Sequence, residues 1–191
     1  QIIRMTALFK GKGADKSQLT NYRAIAMICH LSKVCESIVR NRINAHLEEM
    51  GFWSESTPQR GYRADCGTTD LLLVLVMLMD FARELDMPDV IDELCFLLVD
   101  FKKAFPSVIR ECVYLILRRA GIPEETIELI SHLHETCKFF MSHEGEESEQ
   151  WSSTRGFKEG GASSAGLFNV LSEIMSRELA RRLLQTNSTM Q

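Results

Sequence analysis

Apolar residues recur at three- and four-residue spacing over residues 31–50: Leu31, Val34, Cys35, Ile38, Val39, Ile43, Leu47 and Met50. That period predicts an amphipathic helix. Gly51 stands where a helix end favours a left-handed residue, and Lys33, Arg40 and Arg42 fall off the stripe. A second helix is expected from Thr68 to Glu84, with Thr68, Thr69 and Asp70 as capping residues. Its middle is apolar all round, which predicts burial on most faces. Further helices are expected over Ile109–Ala120, stopped by Gly121, and from Pro123 to about Cys137, with Glu124 and Glu125 in its first turn. A last helix, about 164–185, opens after the glycine-rich turn at 156–161.

The strand signals are shorter. Residues 2–9 alternate weakly and residues 24–28 read as a second strand. Residues 94–101 are apolar on both faces, which predicts a buried central strand. Residues 138–154 read as a hairpin, K-F-F-M-S-H and E-Q-W-S-S-T-R around a solvated acidic turn of Glu144, Glu146, Glu147 and Glu149. Loops fall at 10–21 and 52–67, and a polar linker containing Pro88 at 86–92. This order of short strands, long helices and a hairpin predicts an α+β fold rather than a doubly wound α/β fold.

Composition narrows the class. The chain has 191 residues, 45% of them apolar and 25% charged, which fits one domain with a real core. The net charge of −4 argues against a general nucleic-acid binder, but it is unevenly spread. Residues 1–65 carry ten Lys/Arg against six Asp/Glu, and residues 66–191 carry twelve against twenty. The basic first third is where an anionic partner is expected. Six cysteines show no C-x-x-C and no zinc-like spacing with histidine. They read as small core residues of a reducing compartment. No signal peptide is visible, and the run Leu71–Met79 is far short of the ~20 residues that span a bilayer. An intracellular protein, cytoplasmic or nuclear, with no membrane partner is expected. The start at Gln1 leads us to expect a piece of a longer reading frame.

The candidate chemistry centres on C-F-L-L-V-D-F-K-K-A-F-P-S-V, residues 95–108. A carboxylate at a strand end, Asp100, followed by a basic turn, suits a metal-and-phosphate site. Magnesium takes hard oxygen ligands, and Asp100 with the main-chain carbonyl of Phe101 offers two. Two-metal phosphoryl transfer needs at least one more carboxylate. The structural alternative is a capping or salt-bridged aspartate. His132 and His134 are two apart on a helix and face different ways, and Ser163 and Ser164 have no base nearby in sequence.

Four stretches change this picture. They are L-T-N-Y-R-A-I-A-M-I (19–28) with L-S-K-V-C-E-S-I-V-R-N-R-I (31–43), S-E-S-T-P-Q-R-G-Y-R-A-D-C-G-T-T-D (54–70), L-V-D-F-K-K-A-F, and G-F-K-E-G-G-A-S-S-A-G-L-F-N. In this order they resemble a reverse transcriptase of the non-LTR, LINE-type retrotransposons, over almost the whole chain. The resemblance implies a right-hand polymerase, with fingers at 1–92 and part of a palm at 93–191, the 138–154 hairpin leaning on the fingers, and no thumb. It implies two-magnesium addition of dNTPs to a DNA primer on an RNA template. By the same resemblance Asp100 is the first metal aspartate, with Phe101 beside it. Phe105 is the aromatic that screens the sugar 2′ position, and Arg23 meets the incoming triphosphate. Gln59, Gly61, Arg63, Gly156 and Gly160 contact the template and nascent pair.

The chain also departs from the family pattern. Pro106 replaces a usual acid and is expected to bias Phe105 away from helix. Glu159 replaces a usual glutamine, and Ala162 and Ala165 stand where prolines are common. The family's aromatic-x-Asp-Asp motif is absent from the sequence. The leading expectation is therefore a reverse-transcriptase fragment inactive by itself, awaiting the remainder of the polymerase. The alternatives are a retained RNA- or protein-binding scaffold and a decayed element with no stable product.

Overall fold

A computed structural model describes residues 1–11, 13, 15–53, 59–63, 65–84, 97–143 and 145–189, with side chains up to Gln185. β1 (Ile2–Phe9) and β2 (Tyr22–Met27) pair antiparallel, in register from Arg4 opposite Met27 to Phe9 opposite Tyr22. α1 (His30–Glu49) and α2 (Thr68–Glu84) follow. After them come α3 (Ala104–Ser107), α4 (Arg110–Arg119) and α5 (Glu124–Glu135). β3 (Lys138–His143), β4 (Glu146–Glu147), β5 (Trp151–Ser152) and α6 (Ser164–Thr189) complete the described chain. β3 lies parallel to β1, from Ile2 opposite Lys138 to Met5 opposite Met141, while β4 and β5 add antiparallel to β3. The sheet order is β2-β1-β3-β4. The described fold is thus α+β, a small mixed sheet with helices.

Two apolar clusters hold it. The larger joins Val39, Ile43 and Leu47 of α1 to Leu117 of α4, Ile130 of α5 and Val170 of α6. Each fully buried aliphatic side chain of this kind contributes roughly 1.5–3 kcal/mol. The smaller lies under the sheet and joins Ile3, Ala26, Ile28, Cys137 and Phe139. Left-handed glycines end two helices, Gly51 after α1 (φ 59°) and Gly121 after α4 (φ 81°). At the start of α2 the Gly67 amide donates to the Asp70 carboxylate at 2.7 Å, one half of a capping box.

Four expectations need correction. The buried stripe of α1 is Glu36, Val39, Ile43 and Leu47, whereas Leu31, Val34 and Ile38 are exposed. The helix is rotated because its inner face holds a charge with a distant partner, described below. α2 buries only Ala82, and its apolar residues from Leu72 to Phe81 are largely exposed. A continuous apolar sequence marks what a helix can bury, not what stands next to it. Among the described cysteines only Cys137 is buried, and Cys29, Cys35 and Cys112 are exposed. The expected central strand falls partly outside the described residues. Its described part, 97–101, has no regular secondary structure and no strand pairing among the described residues, and Leu98 is 89% exposed. The 86–92 linker lies wholly outside the described residues.

Candidate functional site

The glycine-rich turn joins three separate parts of the chain. The Gly156 amide donates to the Val108 carbonyl at 2.7 Å, and the Phe157 amide to the Phe105 carbonyl at 2.9 Å. Gly156 has φ of 80°, and a Cβ on it would lie 2.6 Å from the Pro106 carbonyl oxygen. Only glycine allows so close an approach at that φ. On its other flank the turn meets β2, where the Ala26 amide donates to the Glu159 carbonyl at 3.2 Å. A Cβ on Gly160 would lie 3.2 Å from the Ala26 carbonyl oxygen. Arg23 stands exposed on that same strand, opposite Leu8.

Asp100 is exposed, in a segment without regular secondary structure that leads into α3. Lys103 takes a left-handed φ of 53° at the N-cap and turns the chain into Ala104–Ser107. Phe105 is therefore helical, contrary to the expected effect of Pro106. A proline in the first turn of a helix costs little, because its missing N–H has no intrahelical partner there. Phe101 and Phe105 both pack on Phe168 of α6, with ring centroids at 5.6 and 5.5 Å. The next residue, Asn169, is buried and reaches the loop before α2. Its side-chain amide donates to the Gly61 carbonyl at 2.5 Å, and Gln59 Nε2 donates to Asn169 Oδ1 at 2.9 Å. Arg63 turns inward instead. Its guanidinium lies 4.9 Å from the Trp53 ring centroid and 3.3 Å from the Glu48 carboxylate.

The site thus gathers Phe101, Phe105, Gly156, Gly160 and the strand of Arg23 around one turn, with Gln59 and Gly61 fixed to the same helix end. This order of motifs has a family counterpart: residues 12–190 match the family described as reverse transcriptase (RNA-dependent DNA polymerase). The chain belongs to the reverse transcriptase family. No curated protein matches it.

Reverse transcriptase-family domains act on nucleic acid and use divalent metal ions. The described residues do not fit such a centre by themselves, since none of them form a group of three His, Cys, Asp or Glu able to hold an ion. Asp100 and the Phe101 carbonyl are two donors, and the sequence from Phe101 to Gln191 contains no further aspartate. Nor is any helix among the described residues long and apolar enough to cross a membrane.

The supports of this reverse transcriptase-family site include residues that sequence reasoning passed over. The Lys158 ammonium lies 2.5 Å from Glu36 of α1, with side chains 3% and 0% exposed. It also donates to the Leu133 carbonyl at 3.2 Å. The second oxygen of Glu36 accepts from the Ser163 hydroxyl at 3.3 Å. Ser164 Oγ donates to the Lys158 carbonyl at 2.8 Å, and Arg40 to the Ala162 carbonyl at 3.2 Å. The bonds of Lys158, Ser163 and Ala162 pin the middle and the C-terminal end of the glycine turn to α1. The one sequence signal was a glutamate at the spacing of Val39 and Ile43. His134 is buried beside the turn, its Nδ1 3.2 Å from the Tyr114 hydroxyl. Burial, then the charges of Lys158 and Arg110, hold its pKa down at about 3. Burial likewise pushes the Tyr114 hydroxyl up to about 12. Both side chains are therefore neutral near pH 7.

Proposed function

We propose that this chain forms the fingers (1–92) and the first part of the palm (93–191) of a reverse transcriptase of the non-LTR, LINE-type retroelements. The observation that supports this best is the glycine turn, hydrogen-bonded both to the Phe105 segment and to the strand of Arg23. In this reading Arg23 forks onto the phosphates of an incoming dNTP. Phe105, braced by Phe168, screens the sugar 2′ position. Gly156 and Gly160 let the backbone approach the nascent pair, and Gln59, Gly61 and Arg63 shape the template path. The template is RNA and the primer DNA. Asp100 and the Phe101 carbonyl face the metal position, and the remainder of the polymerase supplies the other carboxylates. The chain by itself does not extend a primer, because one carboxylate cannot hold two magnesium ions.

A labelled DNA primer annealed to RNA, incubated with this chain, dNTPs and magnesium, tests both parts. Binding without extension is expected. Extension that an Asp100→Asn variant loses would overturn the inactive assignment. Failure to bind primer–template even at low salt would sink the polymerase reading.

The basic first third supports a second reading, a non-catalytic RNA- or protein-binding scaffold derived from the same fold. A scaffold binds single-stranded RNA and primer–template equally, whereas a polymerase piece prefers the primer–template.

A further inference from the structure

A cavity of about 270 Å³ opens beside the glycine turn, on the side of β2 away from Arg23. Successive side chains of a strand point to opposite faces. Ala24 and Ala26 line the cavity, so Arg23 belongs to the other face of the sheet. Phe139, Trp151 and Phe157 supply aromatic walls, with Phe139 and Trp151 stacked at 6.3 Å between centroids. The volume lies near the lower end of ordinary small-molecule pockets, about 300–1,000 Å³.

Two features of the wall bear on a ligand, a neutral histidine and an uncommitted cation. His134 lines the cavity at 3% exposure, and its Nε2 has no hydrogen-bond partner among the described residues. Its Nδ1 faces Tyr114, which is not part of the wall, and its Nε2 is shielded from solvent. The second feature is Arg155. Three cations line the cavity, Arg110, Arg155 and Lys158, against one carboxylate, Glu159. Lys158 is bound to Glu36, and Arg110 donates to the Ser153 carbonyl. Arg155 is exposed, and its guanidinium makes no hydrogen bond or ion pair among the described residues.

We propose that this cavity binds a small planar aromatic ligand carrying an anionic group, on the face of β2 opposite Arg23 and sharing the glycine turn with the polymerase-type site. The ring lies among Trp151, Phe157 and the alanine floor, with the neutral His134 ring in the wall beside it. The anion meets Arg155. Residues 156–159 form part of the wall, and the Glu159 carbonyl holds Ala26. An occupied cavity therefore stiffens the glycine turn from behind. Two ligand sources share this chemistry, nucleoside monophosphates and aromatic carboxylic acids.

Tryptophan fluorescence of the chain tests the proposal, because Trp151 is in the wall and a Trp53→Phe background leaves it the only reporter. The probes are the four nucleoside monophosphates, indole-3-acetate, and inorganic phosphate alone. Saturable quenching by one of the aromatic anions, and none by phosphate, is expected, and the better probe identifies the source. Arg155→Gln should weaken that binding about tenfold, as loss of one charge-assisted bond does. Ala24→Leu should fill the cavity and abolish binding. Absence of saturable quenching by every probe, in protein that melts cooperatively, would overturn the proposal. So would quenching that Arg155→Gln leaves unchanged, and this exposed position keeps the test valid where Ala24→Leu does not fold. None of these outcomes depends on the chain having polymerase function.

Discussion

Lys158 sits in the middle of the glycine turn with its ammonium buried against Glu36 of α1. Two such charges are costly to remove from water, and the pair survives because the Ser163 hydroxyl and the Leu133 carbonyl take up further hydrogen bonds. Breaking one side is therefore worse than removing both. Lys158→Met should cost about 3–5 kcal/mol in urea unfolding, and Lys158→Met with Glu36→Met should recover part of that loss. A double variant no more stable than the single one would count against the pair as the anchor of the turn. His134 adds a pH dependence whose sign follows from its depressed pKa. The unfolded chain takes up a proton near pH 6.5, whereas the folded chain does so only near 3. Stability is complete above about pH 6.5 and falls as pH drops toward 3, by up to about 5 kcal/mol. His134→Phe should flatten the melting temperature over that window, and an unchanged slope would place the titration elsewhere.

At the scale of elements, the helices were legible because their period and punctuation are local. α1, α2, α4 and α5 lie within a few residues of their expected bounds, each read from apolar spacing, glycine or proline. Their facing was less legible. Glu36 looks like a solvated residue until Lys158, 122 positions later, is folded against it. Hydropathy counts the apolar Leu31 and Ile38 as inner residues, yet both are exposed. Likewise, the sequence drew attention to Asp100 and the glycines, but not to Phe168 and Asn169, whose roles exist only once α6 meets two distant loops. α2 makes the same point in reverse, since its composition promises burial that its surroundings do not supply. Leu73 and Met77, 61% exposed each, lie four residues apart on one side of it. An exposed apolar patch of this kind binds hydrophobic dyes. The chain should therefore enhance anilinonaphthalene sulfonate fluorescence while folded. Leu73→Lys with Met77→Lys should cut that signal at least about twofold without lowering the melting temperature. A signal that survives both substitutions would assign the exposed surface to another element.

For the molecule as a whole, three links tie the basic first third to the remainder. β1 pairs with β3 across some 136 positions, Ala26 is bonded to Glu159, and Gln59 to Asn169. Residues 1–65 therefore present their excess of four positive charges on a body whose other residues carry an excess of eight negative ones. That balance argues against a general electrostatic attraction to nucleic acid, so RNA binding is expected to be local and directional. Local binding has a measurable signature. Each phosphate neutralised by Lys or Arg on a single strand contributes about −0.7 to the slope of log K against log salt. On the scaffold reading, Arg23, exposed on β2 beside a turn that keeps the strand in place, should make one such contact with RNA instead of with a dNTP. Arg23→Ala should then weaken RNA binding and make the slope shallower by about 0.7. Arg63→Ala should act differently, because its guanidinium is already held by Trp53 and Glu48. Its effect should appear mainly as lost stability, with the salt slope nearly unchanged. Filter binding over a series of salt concentrations, paired with thermal melts of each variant, separates the two. Equal slopes for Arg23→Ala and the parent chain would remove Arg23 from the phosphate path and leave the basic third without its leading contact.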